Sequence, residues 1–211
     1  MTTDWQQTLQ AAAQHISKHD QVLAPIIQHV GPCRIQPHTN YYRELVESII
    51  SQQLSIKAAD TILKRFVDLF GGEFPAPEQI ATKDIDQLRS VGMSRAKAIY
   101  VRDSARHILD GQLEITKLPA LTNDQIITEL TAVKGIGEWT AHMFLMFSLG
   151  RLDVLAVGDL GIRSGIMRLY SLPVLPSPAE VEQVATTNHW HPFETIACWY
   201  IWRSLDNIPK R

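Results

Sequence analysis

Residues 130–162 read LTAVKGIGEWTAHMFLMFSLGRLDVLAVGDLGI, and this stretch decides the fold. A Gly-x-Gly turn, made by Gly135 and Gly137, separates two segments with helical periodicity. Glycine has no Cβ, so both residues can adopt positive φ and leave backbone N–H groups uncovered. These groups lie where a helix begins near Glu138, and unpaired donors together with the helix dipole favour a phosphate there. The pattern predicts a helix-hairpin-helix that holds a nucleic-acid backbone without lysine or arginine.

Asp159 adds a carboxylate shortly after this hairpin. It follows a break at Gly158 and stands where a third helical segment starts. An aspartate in this place is most often an N-cap that contributes about 1 kcal/mol. Gly-x-Gly turns between helices are also common, so each feature alone has a purely structural explanation. Together, a phosphate-binding turn and a neighbouring carboxylate predict a reactive site.

The longer string resembles a known family. VKGIGEWTA (133–141) and VGDLGIR (157–163) resemble the helix-hairpin-helix DNA glycosylase superfamily and, within it, the 3-methyladenine DNA glycosylase II family. LVESIISQQLSIKAAD (45–60) resembles the segment of that family that enters the duplex beside the flipped nucleotide. With residues 88–99 and the tryptophan-rich C-terminal region, the resemblance covers roughly residues 40–205.

The resemblance implies a role for each residue that matches a family motif. Asp159 is expected to be the catalytic carboxylate, and the start of a helix favours its ionised form. Gln53 and Leu54 are expected to be the wedge that fills the gap in the base stack. From the residues alone, the same stretch also fits a helix that ends near Gln52 and a new helix capped by Ser55. The positions that match DNA-backbone contacts are Gln52, Ser55, Gly135, Ile136, Gly137 and Thr140.

The expected base pocket is aromatic. Trp139 and Trp190 match family positions near the pocket, and Met143 lies one helical turn beyond Trp139. An electron-poor alkylated base stacks well on an aromatic face, as a cation does. Both tryptophans also fit a core role, which is the interpretation we give to Trp199 and Trp202. Met143 stands where some relatives have an aromatic residue, which leaves the substrate range open.

The rest of the chain predicts an all-α, two-lobed fold. Apolar residues recur with helical spacing near 4–18, 41–52, 56–70, 95–110, 124–133, 138–149, 160–171, 179–188 and 192–205. By resemblance, residues 41–118 form one helical lobe with the wedge. Residues 1–40 and 119–211 form the other lobe, with the hairpin and Asp159. The helical pattern of the first 40 residues leaves no room for the N-terminal β domain that some family members carry.

The overall charge does not suggest a nucleic-acid partner. The 211 residues contain 20 Lys and Arg against 22 Asp and Glu, with a net charge of −2. One local segment differs, because residues 89–106 contain five basic residues and one acid. This segment is either a solvated helix face or a second phosphate contact. Its charged members are Arg89, Arg95, Lys97, Arg102, Asp103 and Arg106.

Cofactors and location are bounded by composition. The two cysteines, Cys33 and Cys198, fit free buried thiols in a reducing compartment and are too few for a four-thiolate iron-sulfur cluster. No cofactor is expected, although by resemblance the backbone carbonyls of Thr131, Val133 and Ile136 can hold a Na⁺ or K⁺ ion. We expect no secretory signal from the N-terminal pattern, and no apolar run reaches membrane-spanning length. We expect a monomer in the cytoplasm with the bacterial nucleoid, or in a eukaryotic nucleus.

The resemblance implies a monofunctional DNA glycosylase that flips alkylated purines out of double-stranded DNA and hydrolyses the N-glycosidic bond in base excision repair. Two alternatives remain open from the sequence. A non-catalytic helix-hairpin-helix module would bind DNA with Asp159 acting only as a cap. A bifunctional glycosylase/lyase would also cut the strand.

Overall fold

The computed structural model describes residues 2–206, and no strand occurs within this range, so the all-α prediction is confirmed. The helices are α1 (Thr2–His19), α2 (Leu23–Val30), α3 (Tyr41–Ser51), α4 (Ile56–Leu69), α5 (Pro77–Ala81), α6 (Ile85–Arg89), α7 (Arg95–Leu109), α8 (Asn123–Thr131), α9 (Glu138–Met143), α10 (Leu160–Leu169), α11 (Pro178–Thr187) and α12 (Glu194–Asp206). A 3₁₀ turn covers Leu118–Ala120, and a π-helical turn, Phe144–Ser148, continues α9.

All nine predicted helices occur, but three short ones were missed. Helix α2 has eight residues, and α5 and α6 have five each. A five-residue helix makes less than two turns, so its apolar residues cannot show a repeat. Local side chains set several helix starts. In α8 and α11 the cap is a reciprocal pair, Thr122 with Gln125 and Ser177 with Glu180.

The chain divides into two compact units. One contains residues 37–149, and the other contains the chain up to Gln36 and again from Gly150. The sequence-based division at residue 118 therefore differs from the structure. Residues 119–149, which include the hairpin, group with the wedge segment, while Asp159 lies in the other unit. The apolar faces of α8 and α9, with Ile126 and Leu130 fully buried, pack into the 37–149 core.

A completely buried carboxylate, Asp20, organises the other unit. Its Oδ1 accepts hydrogen bonds from the backbone N–H groups of Val22 and Leu23, both at 2.9 Å. Its Oδ2 accepts from Nε1 of Trp190 at 2.7 Å and from the hydroxyl of Tyr170. Burial and this hydrogen bond raise the pKa of Tyr170. One carboxylate thus joins the α1–α2 turn, the end of α10 and the loop before α12.

Within residues 2–206, no helix is both long and apolar enough to cross a lipid bilayer.

Candidate active site

The hairpin between α8 and α9 uses its two glycines differently. Gly135 adopts φ of 91°, whereas Gly137 has φ of −93° and ψ of 171° as the residue before α9. Of the two glycines that can adopt positive φ, Gly135 does so and Gly137 does not. A Cβ on Gly135 would lie 2.2 Å from the ring of Tyr100, while a Cβ on Gly137 would meet nothing within 4 Å. Gly135 is therefore needed for close packing against Tyr100. Gly137 leaves the N-terminus of α9 accessible.

Three residues predicted to contact the DNA backbone, Gln52, Ile136 and Thr140, have side chains held within the protein. The side-chain amide of Gln52 donates to the carbonyl of Gly135 at 2.9 Å and so connects the wedge segment to the hairpin. Thr140 and Ile136 have buried side chains. The side chains of these three residues stabilise the hairpin. A contact with DNA from Ile136 or Thr140 would have to come from the backbone.

The predicted wedge lies in the α3–α4 junction. Gln53 is exposed and adopts φ of 56°, a left-handed conformation that is uncommon outside glycine and that clusters at functional sites. Leu54 is 37% exposed and Ile56 is 83% exposed, which is unusual for apolar residues of this size. Ser55 caps α4, because its hydroxyl accepts from the N–H of Ala58. Ile56 cannot be identified from the sequence, since one apolar residue at a helix start forms no pattern.

Lys97 stabilises this junction from α7. Its Nζ donates to the carbonyl of Ile50 at 2.9 Å and to the carbonyl of Gln52, at the end of α3. Desolvation lowers the pKa of Lys97. Arg89, from the same basic segment, pairs with Asp86 at 2.9 Å. These two cations therefore have partners within the protein, which weakens the interpretation of residues 89–106 as one continuous phosphate contact.

Asp159 is the N-cap of α10, and its side chain is fixed. Its Oδ1 accepts from the N–H of Ile162 at 2.7 Å and from Nε1 of Trp202 at 2.9 Å. The side chain is half-buried. Two N–H donors on one carboxylate oxygen hold the side chain in a single orientation. The carboxylate therefore has a fixed orientation. Its role as the cap of α10 does not prevent it from taking part in a reaction.

Four of the five tryptophans differ in their environment in ways that bear on the site. Trp139 is 51% exposed on α9, with the half-buried Met143 one turn later. Trp190 is 0% exposed and donates to Asp20, so its assignment to the base pocket is not supported and the core interpretation fits. Trp199 is buried, as predicted. Trp202 contacts Asp159, a role that the sequence does not reveal because the two residues are 43 positions apart.

Both cysteines lie in the protein interior. Cys33 and Cys198 are free and buried, as predicted, and burial raises the pKa of their thiols to about 11 and about 12. They are therefore unsuited as nucleophiles near neutral pH.

No group of three His, Cys, Asp or Glu side chains in the described part of the chain could bind a metal. At the hairpin, the Val133 carbonyl accepts from the N–H of Ile136 at 3.1 Å.

Two cavities differ in their relation to the predicted site residues. A groove of about 740 Å³ lies against α1 and α2 and is lined by several glutamines, including Gln6 and Gln10, but it contains none of the predicted site residues. A smaller cavity of about 380 Å³ lies within residues 37–149, beside the wedge, and includes Leu54 and Met143. The smaller one is the candidate for a bound base.

The fold and the hairpin define a helix-hairpin-helix protein of DNA repair. The chain belongs to the family described as HhH-GPD superfamily base excision DNA repair protein, which matches over residues 46–188. DNA-3-methyladenine glycosylase 1 of Schizosaccharomyces pombe is 36% identical over 203 residues, which are 93% of this chain and 88% of that protein.

Solved structures agree with this assignment. The 3-methyladenine DNA glycosylase of S. pombe in complex with abasic DNA superimposes with a TM-score of 0.83 at 33% identity, covering 95% of this chain and 100% of that one. DNA-3-methyladenine glycosidase from Bacillus halodurans gives a TM-score of 0.81 at 38% identity, covering 93% and 89%. The family resemblance seen in the sequence is confirmed.

Proposed function

We propose that the protein is a monofunctional DNA glycosylase that excises alkylated purines of the 3-methyladenine type from double-stranded DNA in base excision repair. The oriented carboxylate of Asp159 carries this proposal, because its Oδ1 accepts from two N–H donors at the start of α10. Relatives and solved structures named as 3-methyladenine glycosylases support the substrate class. We further propose that the protein acts as a monomer wherever the cell keeps its DNA.

The chemistry follows from the charge of the substrate. A base inside a duplex must be extruded before it can be processed, at a cost of a few kcal/mol. Alkylation at a ring nitrogen makes the purine cationic and a good leaving group, so the reaction needs little help from a general acid. Positive charge then develops on the sugar as the bond from C1′ to the base nitrogen breaks. The Asp159 carboxylate would stabilise that charge and orient the attacking water.

The hairpin position that holds the lyase lysine in the resembled superfamily is a tryptophan in this chain. Bifunctional members of the superfamily use a hairpin lysine that forms a Schiff base with the sugar, and Trp139 occupies the matching position here. Lys134 precedes the glycines, on the other side of the turn. We therefore propose water as the nucleophile. We also propose a Na⁺ or K⁺ ion on the carbonyls of Thr131, Val133 and Ile136, with no other cofactor.

One assay separates the glycosylase from its alternatives. We expect the protein to release methylated purines from alkylated duplex DNA and to leave strands that break only after alkali treatment. Borohydride should trap no covalent adduct between the protein and DNA. DNA binding without base release would indicate a binding module, and a lysine-dependent trapped adduct would indicate a lyase.

Gly137→Val tests the hairpin as the DNA-binding element. The protein should fold normally, since Gly137 has an ordinary φ and its Cβ would meet no other atom. Affinity for DNA of any sequence should fall about tenfold, because the added side chain obstructs the approach of a phosphate to the α9 N-terminus. Fluorescence anisotropy with two unrelated duplexes measures this. An unchanged Kd in a folded variant would remove the hairpin from the interface.

Gln53→Ala tests the wedge. Excision of a lesion in a stably paired duplex should fall about tenfold, and excision from a mismatched duplex should fall much less, because mismatched bases leave the stack at low cost. Single-turnover rates on the two duplexes give the comparison. Gln112→Ala, at an exposed position of the same unit, is the matched control. Equal losses on both duplexes would reduce Gln53 to a residue at a helix end.

A further inference from the structure

The C-terminus of α3 is capped by a lysine from another helix. The last carbonyls of an α-helix have no intrahelical N–H partner and need one from elsewhere. Here Nζ of Lys97, on α7, donates to the carbonyl of Ile50 at 2.9 Å and to the carbonyl of Gln52. The N–H of Leu54 donates to the carbonyl of Ser51 at 3.1 Å. Three consecutive carbonyls that lead into the wedge therefore have fixed partners.

The backbone of the wedge needs this support. Gln53 directly follows the carbonyl of Gln52 and adopts φ of 56°. In a residue other than glycine this conformation costs on the order of 1–3 kcal/mol and persists only where the surrounding structure imposes it. A cation at the C-terminus of α3 also interacts favourably with the negative end of the helix dipole. Lys97 thus supplies both hydrogen bonds and charge immediately before the unfavourable position.

The face of α7 that bears Lys97 also contacts the hairpin. Tyr100 lies three residues after Lys97, so the two side chains are neighbours on the helix surface. The ring of Tyr100 packs so closely on Gly135 that no Cβ would fit there. The side-chain amide of Gln52 donates to the carbonyl of Gly135 at 2.9 Å. Within residues 37–149, the wedge and the hairpin are therefore connected twice, through α7 and through the Gln52 amide.

We propose that Lys97 is a positioning residue for base extrusion. It holds the main chain of the wedge at a fixed distance from the hairpin, so that a phosphate bound at the start of α9 brings Gln53 to the base stack. In this role Lys97 acts through Gln53 and not on the reacting atoms. The inference rests on the proposed function and extends its machinery to α7.

This role separates affinity from extrusion. Phosphate contacts at the hairpin set how tightly the duplex is held, whereas the wedge sets how readily a base leaves the stack. A wedge whose main chain is free to move yields when the stack resists it, and binding energy from the hairpin then contributes less to extrusion. Loss of Lys97 should therefore lower the maximal excision rate more than the affinity, and most where the base is hardest to extrude.

The experiment measures single-turnover excision of N7-methylguanine from two duplexes, one with cytosine opposite the lesion and one with a mismatched base. A range of enzyme concentrations gives the maximal rate and the half-saturating concentration, and Tm reports on folding. Lys97→Met removes the donors, Lys97→Gln keeps an amide donor on a shorter side chain, and Lys97→Arg keeps the charge and the donors. Lys117→Met, at an exposed position of the same unit, makes the same change in net charge.

Lys97→Met should lower the maximal rate about tenfold on the paired duplex, as expected for Gln53→Ala, and less than about twofold on the mismatched duplex. Its half-saturating concentration should change no more than that of Lys117→Met. Lys97→Arg should restore the rate to within about threefold of wild type, because it still donates to the carbonyls. Since Lys97 acts through the wedge, combining Lys97→Met with Gln53→Ala should lose no more than Gln53→Ala alone.

Two results would reduce Lys97 to a residue of the fold and overturn this inference alone. One is an equal loss of rate on the paired and mismatched duplexes. The other is a double variant in which the two losses multiply. If Lys97→Met does not fold, Lys97→Gln carries the same comparisons. A wild-type protein that releases no methylated base from either duplex would instead overturn the proposed function, and this inference with it.

Discussion

Asp159→Asn should lower base excision by at least about 100-fold while the protein folds and binds lesion DNA almost normally. Asparagine keeps the size of the side chain and an oxygen that can accept from Ile162 and Trp202, so the cap of α10 survives. The negative charge is lost, and the second carboxylate oxygen becomes an NH₂ group. If that charge stabilises the developing cation on the sugar, its removal costs two to three orders of magnitude in rate.

Three measurements check this prediction: single-turnover excision of N7-methylguanine, the Kd for lesion DNA, and Tm. Asp4→Asn is the matched control, because Asp4 is an exposed carboxylate in the same unit. Excision by Asp159→Asn within a few-fold of wild type, with normal Tm, would leave Asp159 as a helix cap and would move the catalytic role elsewhere.

Asp20→Ala should lower the free energy of unfolding by about 3–5 kcal/mol. The carboxylate is completely buried and accepts four hydrogen bonds, including those from Tyr170 and Trp190. Alanine would leave these four donors without an acceptor in the protein interior. Donors that lose their partner in the interior cost more than the net value of the bonds themselves.

Urea denaturation followed by tryptophan fluorescence measures the loss, since Trp190 reports on its own surroundings. Asp20→Asn keeps an acceptor for the backbone N–H groups but presents an amide donor toward Trp190, so it should lose an intermediate amount. Glu182→Ala, at an exposed position on α11, should change the free energy by less than about 0.5 kcal/mol. A comparable loss in Glu182→Ala, or none in Asp20→Ala, would contradict the assignment of Asp20 as the central acceptor.

The predictions that the structure confirms concern features set by residues close to one another in sequence. The nine longer helices were found because each repeats its apolar residues over several turns. Asp159 was predicted at a helix start, and Ser55 as a cap, because both roles depend on a backbone N–H three residues away. The family followed from two contiguous strings, and its match to residues 46–188 agrees.

The interpretations that changed depend on distant residues. Trp190 and Trp202 are the same residue type and lie in the same tryptophan-rich C-terminal region, so the sequence does not distinguish their environments. Trp190 finds its partner 170 positions away in Asp20, and Trp202 finds its partner 43 positions away in Asp159. Likewise, the sequence shows Lys97 only as one of several basic residues in 89–106. In the structure its Nζ donates to backbone carbonyls at the end of α3.

The helical class, the hairpin, the capped carboxylate and the family all follow from the sequence, because short-range hydrogen bonds and the helical period depend on residues that are close along the chain. Packing of the helices determines which glycine lies against Tyr100 with no room for a side chain, which tryptophan is core and which orients Asp159. Those outcomes depend on side chains that approach one another only after the helices have packed, and burial and partner choice are properties of that packing.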